Sequence, residues 1–298
     1  MDLHQAPDWG KFMEKIGWRS LLVTGGPGEA PSRVYLKKIP LLGSIIKIPR
    51  PTSPLPYSAL EKLARAERAL FVKVEPLDER EITTLTKNGY DEDHWPLTPT
   101  CVIKIDLRAS LPEIQKNFHE DARYSLRKAE RNGITVEVIQ PSTAVDPKKV
   151  LESFYKIFKK TGEKKGFWVP PFKELLAKSK SFGENADLLL GRFGEPVSGA
   201  FLLFHGKVAY YNVAASTELG RKLLAQYLVM GEIIKRAKDR GCETLNLEGI
   251  YDPRFAVSRR WKNLTVFKKK FGGEVISLPG SYTKYYNPLV KLLFKLNR

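Results

Sequence analysis

The sequence predicts an α/β (α+β) protein built from two mixed sheets flanked by helices, with no coiled-coil arm. Three observations carry that prediction. The chain has 298 residues, more than the roughly 100–200 of an ordinary domain. Segments with a strand period of two alternate with segments of helical period along its length. No heptad pattern lasts long enough to build a long antiparallel arm.

Asp8 to Ile16 carries Trp9, Phe12, Met13 and Ile16 at three–four spacing and stops at Gly17, which predicts a helix. Strands are expected at Trp18–Thr24, Arg33–Lys38 and Ser44–Ile48, separated by Gly/Pro turns. Gly25-Gly26-Pro27-Gly28 lacks the Lys-Ser/Thr pair and the helix start of a phosphate loop, so it reads as a turn. After a proline-rich loop (Pro49 to Pro56), Ser58–Leu70 reads as an amphipathic helix feeding a strand at Phe71–Glu75. Ser110-Leu111-Pro112-Glu113 has the pattern of a capping box, and launches a helix or helix pair that ends at Asn132-Gly133.

The second half is expected to run strand Ile134–Ile139, helix Lys148–Thr161 and helix Pro171–Ser179. A meander follows, Ala186–Phe193, Val197–Phe204 and Val208–Ala215, then helix Lys222–Arg240 and strand Glu243–Leu247. This β-α-α-β-β-β-α-β order resembles the N-acetyltransferase-like (GNAT) scaffold. There the fourth and fifth strands splay apart, and the helix between them offers its N-terminus, here Thr217 to Leu223, to an anionic group. Acetyl-CoA users place a glycine-rich turn at that point. Glu218 to Ala225 holds only Gly220, so CoA is disfavoured and no cofactor is expected.

Fifty Lys+Arg against 33 Asp+Glu give a formal charge of +17. That balance points to phosphate-bearing partners: nucleic acid, a nucleotide-linked substrate or an anionic membrane face. Four scattered histidines and two cysteines show no zinc spacing, so no metal is expected. Cys101 and Cys242 fit a disulfide or a reduced pair. The chain opens without a charged-then-apolar leader, and no apolar run approaches ~18 residues, which predicts a protein kept inside the cell.

Charge concentrates in two stretches. Phe267-Lys268-Lys269-Lys270-Phe271-Gly272-Gly273, preceded by Arg259, Arg260 and Lys262, reads either as a solvated strand end or as a basic pocket. Between His119 and Arg131, Arg123, Arg127 and Arg131 share one helix face beside Tyr124 and Lys128. That face either contacts phosphate or is solvated and paired with Glu120, Asp121 and Glu130. At the C-terminus, Asn287 can cap and Pro288 open a helix with Leu289, Leu292, Leu293 and Leu296 on one face and Lys291, Lys295 and Arg298 on another. It either packs on the first unit or also touches the inner leaflet of the membrane.

Four motifs together resemble the Fem aminoacyltransferases: Pro7-Asp8-Trp9-Gly10 with Gly17-Trp18, the helix end Arg123-Tyr124 to Asn132-Gly133, the Tyr210–Ser216 strand, and Phe267-Lys268 with Phe271-Gly272-Gly273. The resemblance covers nearly the whole chain. It implies two GNAT-like domains, 1–108 completed by 278–298 and 109–277, in the armless branch of the family. It also implies transfer of an amino acid from aminoacyl-tRNA to the stem-peptide amine of a lipid-linked or UDP-linked muramyl peptide, by a cytoplasmic monomer. Carried over by position, the lysine of the Phe-Lys motif lands on Lys268, the expected catalytic residue, and the arginine of the helix motif lands on Arg123. Arg123, Tyr124, Arg127, Tyr211, Phe267 and Lys269 are the expected substrate-binding residues. Val213 stands where the family commonly has an aromatic, and Asn246-Leu247-Glu248-Gly249 where it has Asp-x-x-Gly; Tyr210 and Tyr211 serve instead or are core residues. The chemistry would be aminolysis of an ester, with Lys268 as the cation at the oxyanion. Proton removal would fall to the substrate itself, or to Glu248 or Asp252. An acyl-CoA-dependent N-acyltransferase and a non-catalytic tRNA-binding protein are the rival readings.

Overall fold

The computed structural model describes residues 1–296, with side chains as far as Leu293. In chain order the strands are β1 (Arg19–Val23), β2 (Ser32–Ile39), β3 (Gly43–Pro49), β4 (Ala69–Glu75), β5 (Asp91–Asp93), β6 (Cys101–Asp106), β7 (Thr135–Ile139), β8 (Ala186–Phe193), β9 (Glu195–His205), β10 (Val208–Ser216), β11 (Thr244–Gly249), β12 (Glu274–Ser277) and β13 (Ser281–Tyr285). The helices are α1 (Pro7–Lys15), α2 (Tyr57–Ala66), α3 (Arg80–Lys87), α4 (Leu111–Lys116), α5 (Glu120–Arg131), α6 (Pro147–Lys165), α7 (Phe172–Phe182), α8 (Glu218–Lys222), α9 (Ala225–Asp239), α10 (Lys262–Lys269) and α11 (Pro288–Leu296). The fold class is the expected one, two mixed sheets flanked by helices. One unit comprises residues 1–101, 252–260 and the segment from 277 onward; the other comprises 102–251 and 261–276. The break falls after residue 101 rather than 108 because β6 pairs with β11, Ile105 facing Leu245, in the second sheet.

The first unit's sheet has the order β1-β2-β3-β4-β13-β5, so the C-terminal segment supplies an interior strand. Val34, Leu36, Ile46, Ile48, Val72 and Val74 alternate inward from β2, β3 and β4, and Leu60 and Ala64, one turn apart on α2, cover them. Helix α2 ends at Ala66, short of the expected Leu70. Arg68 takes φ 48°, which turns the chain into β4 at Ala69. Two buried polar contacts hold β13 in place: Thr283 donates to Asp93 at 2.8 Å, and Lys73 pairs with the same carboxylate at 2.6 Å. Asp252, named above as a base, is buried in this unit and already used. Its carboxylate accepts from Thr100 at 2.6 Å and from Arg254, which together hold its pKa below the usual range despite burial.

The second sheet has the order β12-β6-β11-β10-β9-β8-β7. Leu188, Leu189 and Leu190 are consecutive and all fully buried, as in a strand covered on both faces. Helices α6 and α9 pack on this sheet. The expected helix from Lys222 to Arg240 is α9, which starts at Ala225 because Leu224 takes a left-handed φ of 61° and separates it from the short α8. The Ser110–Glu113 capping box is present and opens α4, and a break at 117–119 separates α4 from α5.

The largest departure from expectation is the Phe-Lys stretch, which is helix α10 and not a strand end. Successive helical side chains point about 100° apart, so the three lysines diverge and form no common pocket. Lys268 turns inward, Lys269 is exposed, and Lys270 pairs with Asp121 at 2.8 Å.

Candidate active site

The site begins where two parallel strands part. β10 and β11 pair only from Val208 to Tyr210, opposite Thr244 to Asn246. Beyond that point β10 carries a bulge that inserts Asn212 between Tyr211 and Val213. On the other side β11 loses register with β6 between Asn246 and Gly249, and Glu248 takes a φ of 61°. Few residues other than glycine adopt that conformation. The Asn246 side chain steadies it by accepting the Glu248 N–H at 2.8 Å.

Lys268 of α10 enters this gap. It is 3% exposed, and its Nζ donates to Gly249 O at 2.7 Å and lies 5.8 Å from the Tyr211 ring centre. An ammonium can donate three hydrogen bonds. Its other two N–H groups meet no acceptor among the described residues. Burial pushes its pKa down to about 7, against a smaller upward pull from the Glu248 carboxylate. A second lysine behaves similarly: Lys178 of α7 donates to Asn212 Oδ1 at 2.9 Å, and burial brings its pKa down to about 8, again opposed by Glu248. Glu248 Oε1 is itself buried and has no hydrogen-bond partner.

Beside this cluster lies a cavity of about 330 Å³, within the range of small-ligand sites. Tyr211, Gln226, Tyr227 and Phe267 line its inner wall, and Lys165 and Arg221 also line it with exposed side chains. Gln226 donates to Tyr211 Oη at 3.0 Å and leaves its own Oε1 buried without a partner. Burial raises the Tyr211 pKa, so the phenol stays protonated and can donate. Arg221 spends one guanidinium N–H on Ser216 O at 2.6 Å; partial burial, then the Arg221 charge, lowers the pKa of Lys165. The orphaned Gln226 acceptor and the Tyr211 phenol of the cavity wall can meet polar groups of a ligand, with a basic pair beside them to meet an anion; Lys268 and Glu248 adjoin the cavity without lining it. Phe267 is fixed from behind by an aromatic cluster, with Tyr227 at 5.1 Å, Phe271 at 5.2 Å, and Phe118 at 5.3 Å from Phe271.

The structure therefore brings together Tyr211, Phe267 and Lys268 from the sequence candidates, and sets the others apart. Arg123 and Arg127 line a separate hollow of about 320 Å³ with Glu130, Glu232 and Lys235. Arg123 donates to the carbonyls of Phe118 and Lys116, closing the α4–α5 turn. Tyr124 is half exposed, with Lys128 Nζ 5.4 Å from its ring centre, and Lys269 points to solvent. Lys178, Gln226, Lys165 and Arg221 were not among the candidates. Nothing in their local sequence separates them from ordinary helix residues.

Residues 174–297 match the sequence model of the FemAB family, which bears out the resemblance read from the motifs over that part of the chain. No curated protein matches the chain. Among solved structures, the crystal structure of FemX superposes with a TM-score of 0.81 at 20% identity, covering 98% of this chain and 94% of that one. The C-terminal domain of a putative lysylphosphatidylglycerol synthetase from Agrobacterium fabrum superposes with a TM-score of 0.65 at 14% identity, covering 98% and 91%. A tandem GNAT protein of the clavulanic acid pathway gives 0.57 at 9%, covering 90% and 84%. The chain thus has the fold of tandem GNAT proteins.

Proposed function

We propose that the cavity beside Tyr211 is the acyl-transfer site of an aminoacyltransferase that moves an amino acid from aminoacyl-tRNA to the stem-peptide amine of a peptidoglycan precursor. The observation that carries this reading is the Lys268 ammonium, buried at the strand split next to a ligand-sized cavity with two N–H groups unspent. The FemAB match over residues 174–297, which include Lys268, and the fold likeness to FemX support it. The reading makes the protein a transferase of the cytoplasm, where its tRNA donor is found.

A neutral acceptor amine attacks the ester carbonyl, a C–N bond forms, and the bond to the tRNA ribose oxygen breaks. The attacking nitrogen gives up a proton and the ribose oxygen receives one, through the substrate itself or through Glu248. Lys268, in its protonated form, donates to the developing oxyanion. Positioning supplies roughly 7–11 kcal/mol of such a barrier, and one well-placed oxyanion donor about 3–4 more. Lys165 and Arg221 meet the tRNA phosphates at the cavity mouth.

The test offers mixed aminoacyl-tRNAs with lipid-linked and UDP-linked muramyl pentapeptides, and reads the new amide by mass spectrometry. Product formation that Lys268→Met abolishes is the expected result. CoA retained by the purified protein, or tRNA binding indifferent to aminoacylation with no product, overturns it. The likeness to the lysylphosphatidylglycerol synthetase favours a second acceptor, a lipid hydroxyl. Phosphatidylglycerol in the same assay decides between ester and amide products.

A further inference from the structure

The first unit exposes two leucine groups at one end of its sheet. The turn between β2 and β3 is closed by Leu42 N–H donating to Ile39 O, and Leu41 at its tip is fully exposed with φ 63°. Glycine or asparagine would relieve that conformation and remove apolar surface from water. A leucine there, followed by an exposed Leu42, meets no internal need.

The second group is on α11. The face expected to pack, Leu289, Leu292 and Leu293, is instead exposed, while Lys291 ties the helix to Asp91 at 2.7 Å. The expected contributions of the Phe294, Lys295 and Leu296 side chains and of Arg298 lie outside the described residues.

Strand pairing brings the two groups to the same end of the sheet. The turn leads into β3, where Ser44 faces Ala69 at the start of β4, and α11 follows β13, where Tyr285 faces Phe71. The backbone bonds agree: Ser44 N–H donates to Arg68 O, and Tyr286 and Asn287 N–H donate to Leu70 O. Basic residues stand around the same end. Lys37 and Arg68 are exposed and form no ion pair among the described residues, and Lys38 is paired with Glu67.

We propose that this end of the first unit is an interfacial docking surface for an anionic lipid bilayer. Protruding leucines enter the acyl boundary and the lysines and arginine meet the headgroups. A bilayer accepts apolar tips at variable depth, whereas a protein partner needs a matched pocket for each. No helix among the described residues is long and apolar enough to cross a membrane, so the contact is interfacial. This inference does not rest on the proposed reaction, and its test reads no catalysis.

The test is flotation of the full chain with vesicles of mixed phosphatidylglycerol and phosphatidylcholine, with phosphatidylcholine alone, and at high salt. Lipid-free sedimentation velocity accompanies it. Binding to the anionic vesicles is expected, weaker on neutral ones and at high salt. Leu41→Ser/Leu42→Ser and Leu292→Ser/Leu293→Ser, each verified as folded by circular dichroism, each weaken it by roughly tenfold or more. Absent binding, or wild-type binding by both variants, overturns the proposal. A lipid-free dimer that the same substitutions dissociate also overturns it, and assigns the leucines to a second copy.

Discussion

The hollow lined by Arg123 and Arg127 and the cavity beside Lys268 both draw on basic side chains of the second unit, but water treats them differently. Arg127 is exposed, Arg123 is spent on turn carbonyls, and Glu130 and Glu232 share their hollow. Charges placed so cost little and gain little, because solvent screens them. Lys268 is held out of water and Lys178 is partly buried; burial brings their pKa values down to about 7 and 8, although Glu248 pulls both up, joined by Glu174 at Lys178. Burying an ammonium costs stability, and a chain keeps such a cost where the charge has work to do. Local charge density therefore does not mark the site, since the stretch with three adjacent lysines contributes only one of them.

The sharpest way to break this comparison is to remove one cation from each region. Lys268→Met should lower turnover by at least ~100-fold with the fold intact, because an oxyanion contact strengthens mainly in the transition state. Arg127→Ala should change turnover by no more than a few-fold. Similar losses from both would erase the distinction.

Stability should divide the regions as well. In the unfolded chain Lys268 holds its proton up to about pH 10.5, and in the folded chain it releases it near 7. Between those limits the unfolded state binds more protons, so stability rises with pH, and below pH 7 the full cost of burial is present. Lys268→Met should therefore be more stable than the parent at pH 7 relative to pH 10, with the difference closing by up to about 1.4 kcal/mol per pH unit. Denaturant melts of both proteins across that range check it. A pH-independent difference would mean that Lys268 keeps an ordinary pKa.

Much of the fold was legible because it is built from local pattern. The meander from Ala186 to Ser216 and the capping box at Ser110 lie within a few residues of their expected bounds, since alternation and turn chemistry are short-range signals. Strands β5, β6, β12 and β13 were not read: β5 and β12 are short, and β6 and β13 are defined by pairing with β11 and β4, remote in sequence. Of the candidate site, Tyr211, Phe267 and Lys268 were legible through the family motif. Lys178 was not, because the Asn212 bulge that gives it a partner is a tertiary event. The turn contacts of Arg123 were not legible for the same reason, its guanidinium being directed to carbonyls of the turn before α5.

Two smaller effects sharpen the comparison further. Glu248→Gln removes the charge that raises both lysine pKa values, so the alkaline limb of kcat/KM should move to lower pH, by roughly half a unit to one unit. An unmoved limb would detach Glu248 from the cluster. Arg123→Ala should cost about 1–2 kcal/mol of stability, independent of salt, by leaving two turn carbonyls unpaired. A salt-dependent loss of RNA affinity with unchanged stability would return Arg123 to the binding surface.

The most direct measurement is an NMR titration of the Lys268 side chain in isotopically labelled protein, assigned with Lys268→Arg. It would be run without and with a non-reactive aminoacyl-RNA analogue. The account predicts a pKa near 7 in the unliganded protein, and an upward shift when the analogue places its acyl oxygen against the ammonium. A pKa near 10.5 in the unliganded protein, or a titration that the bound analogue leaves unchanged, would contradict it.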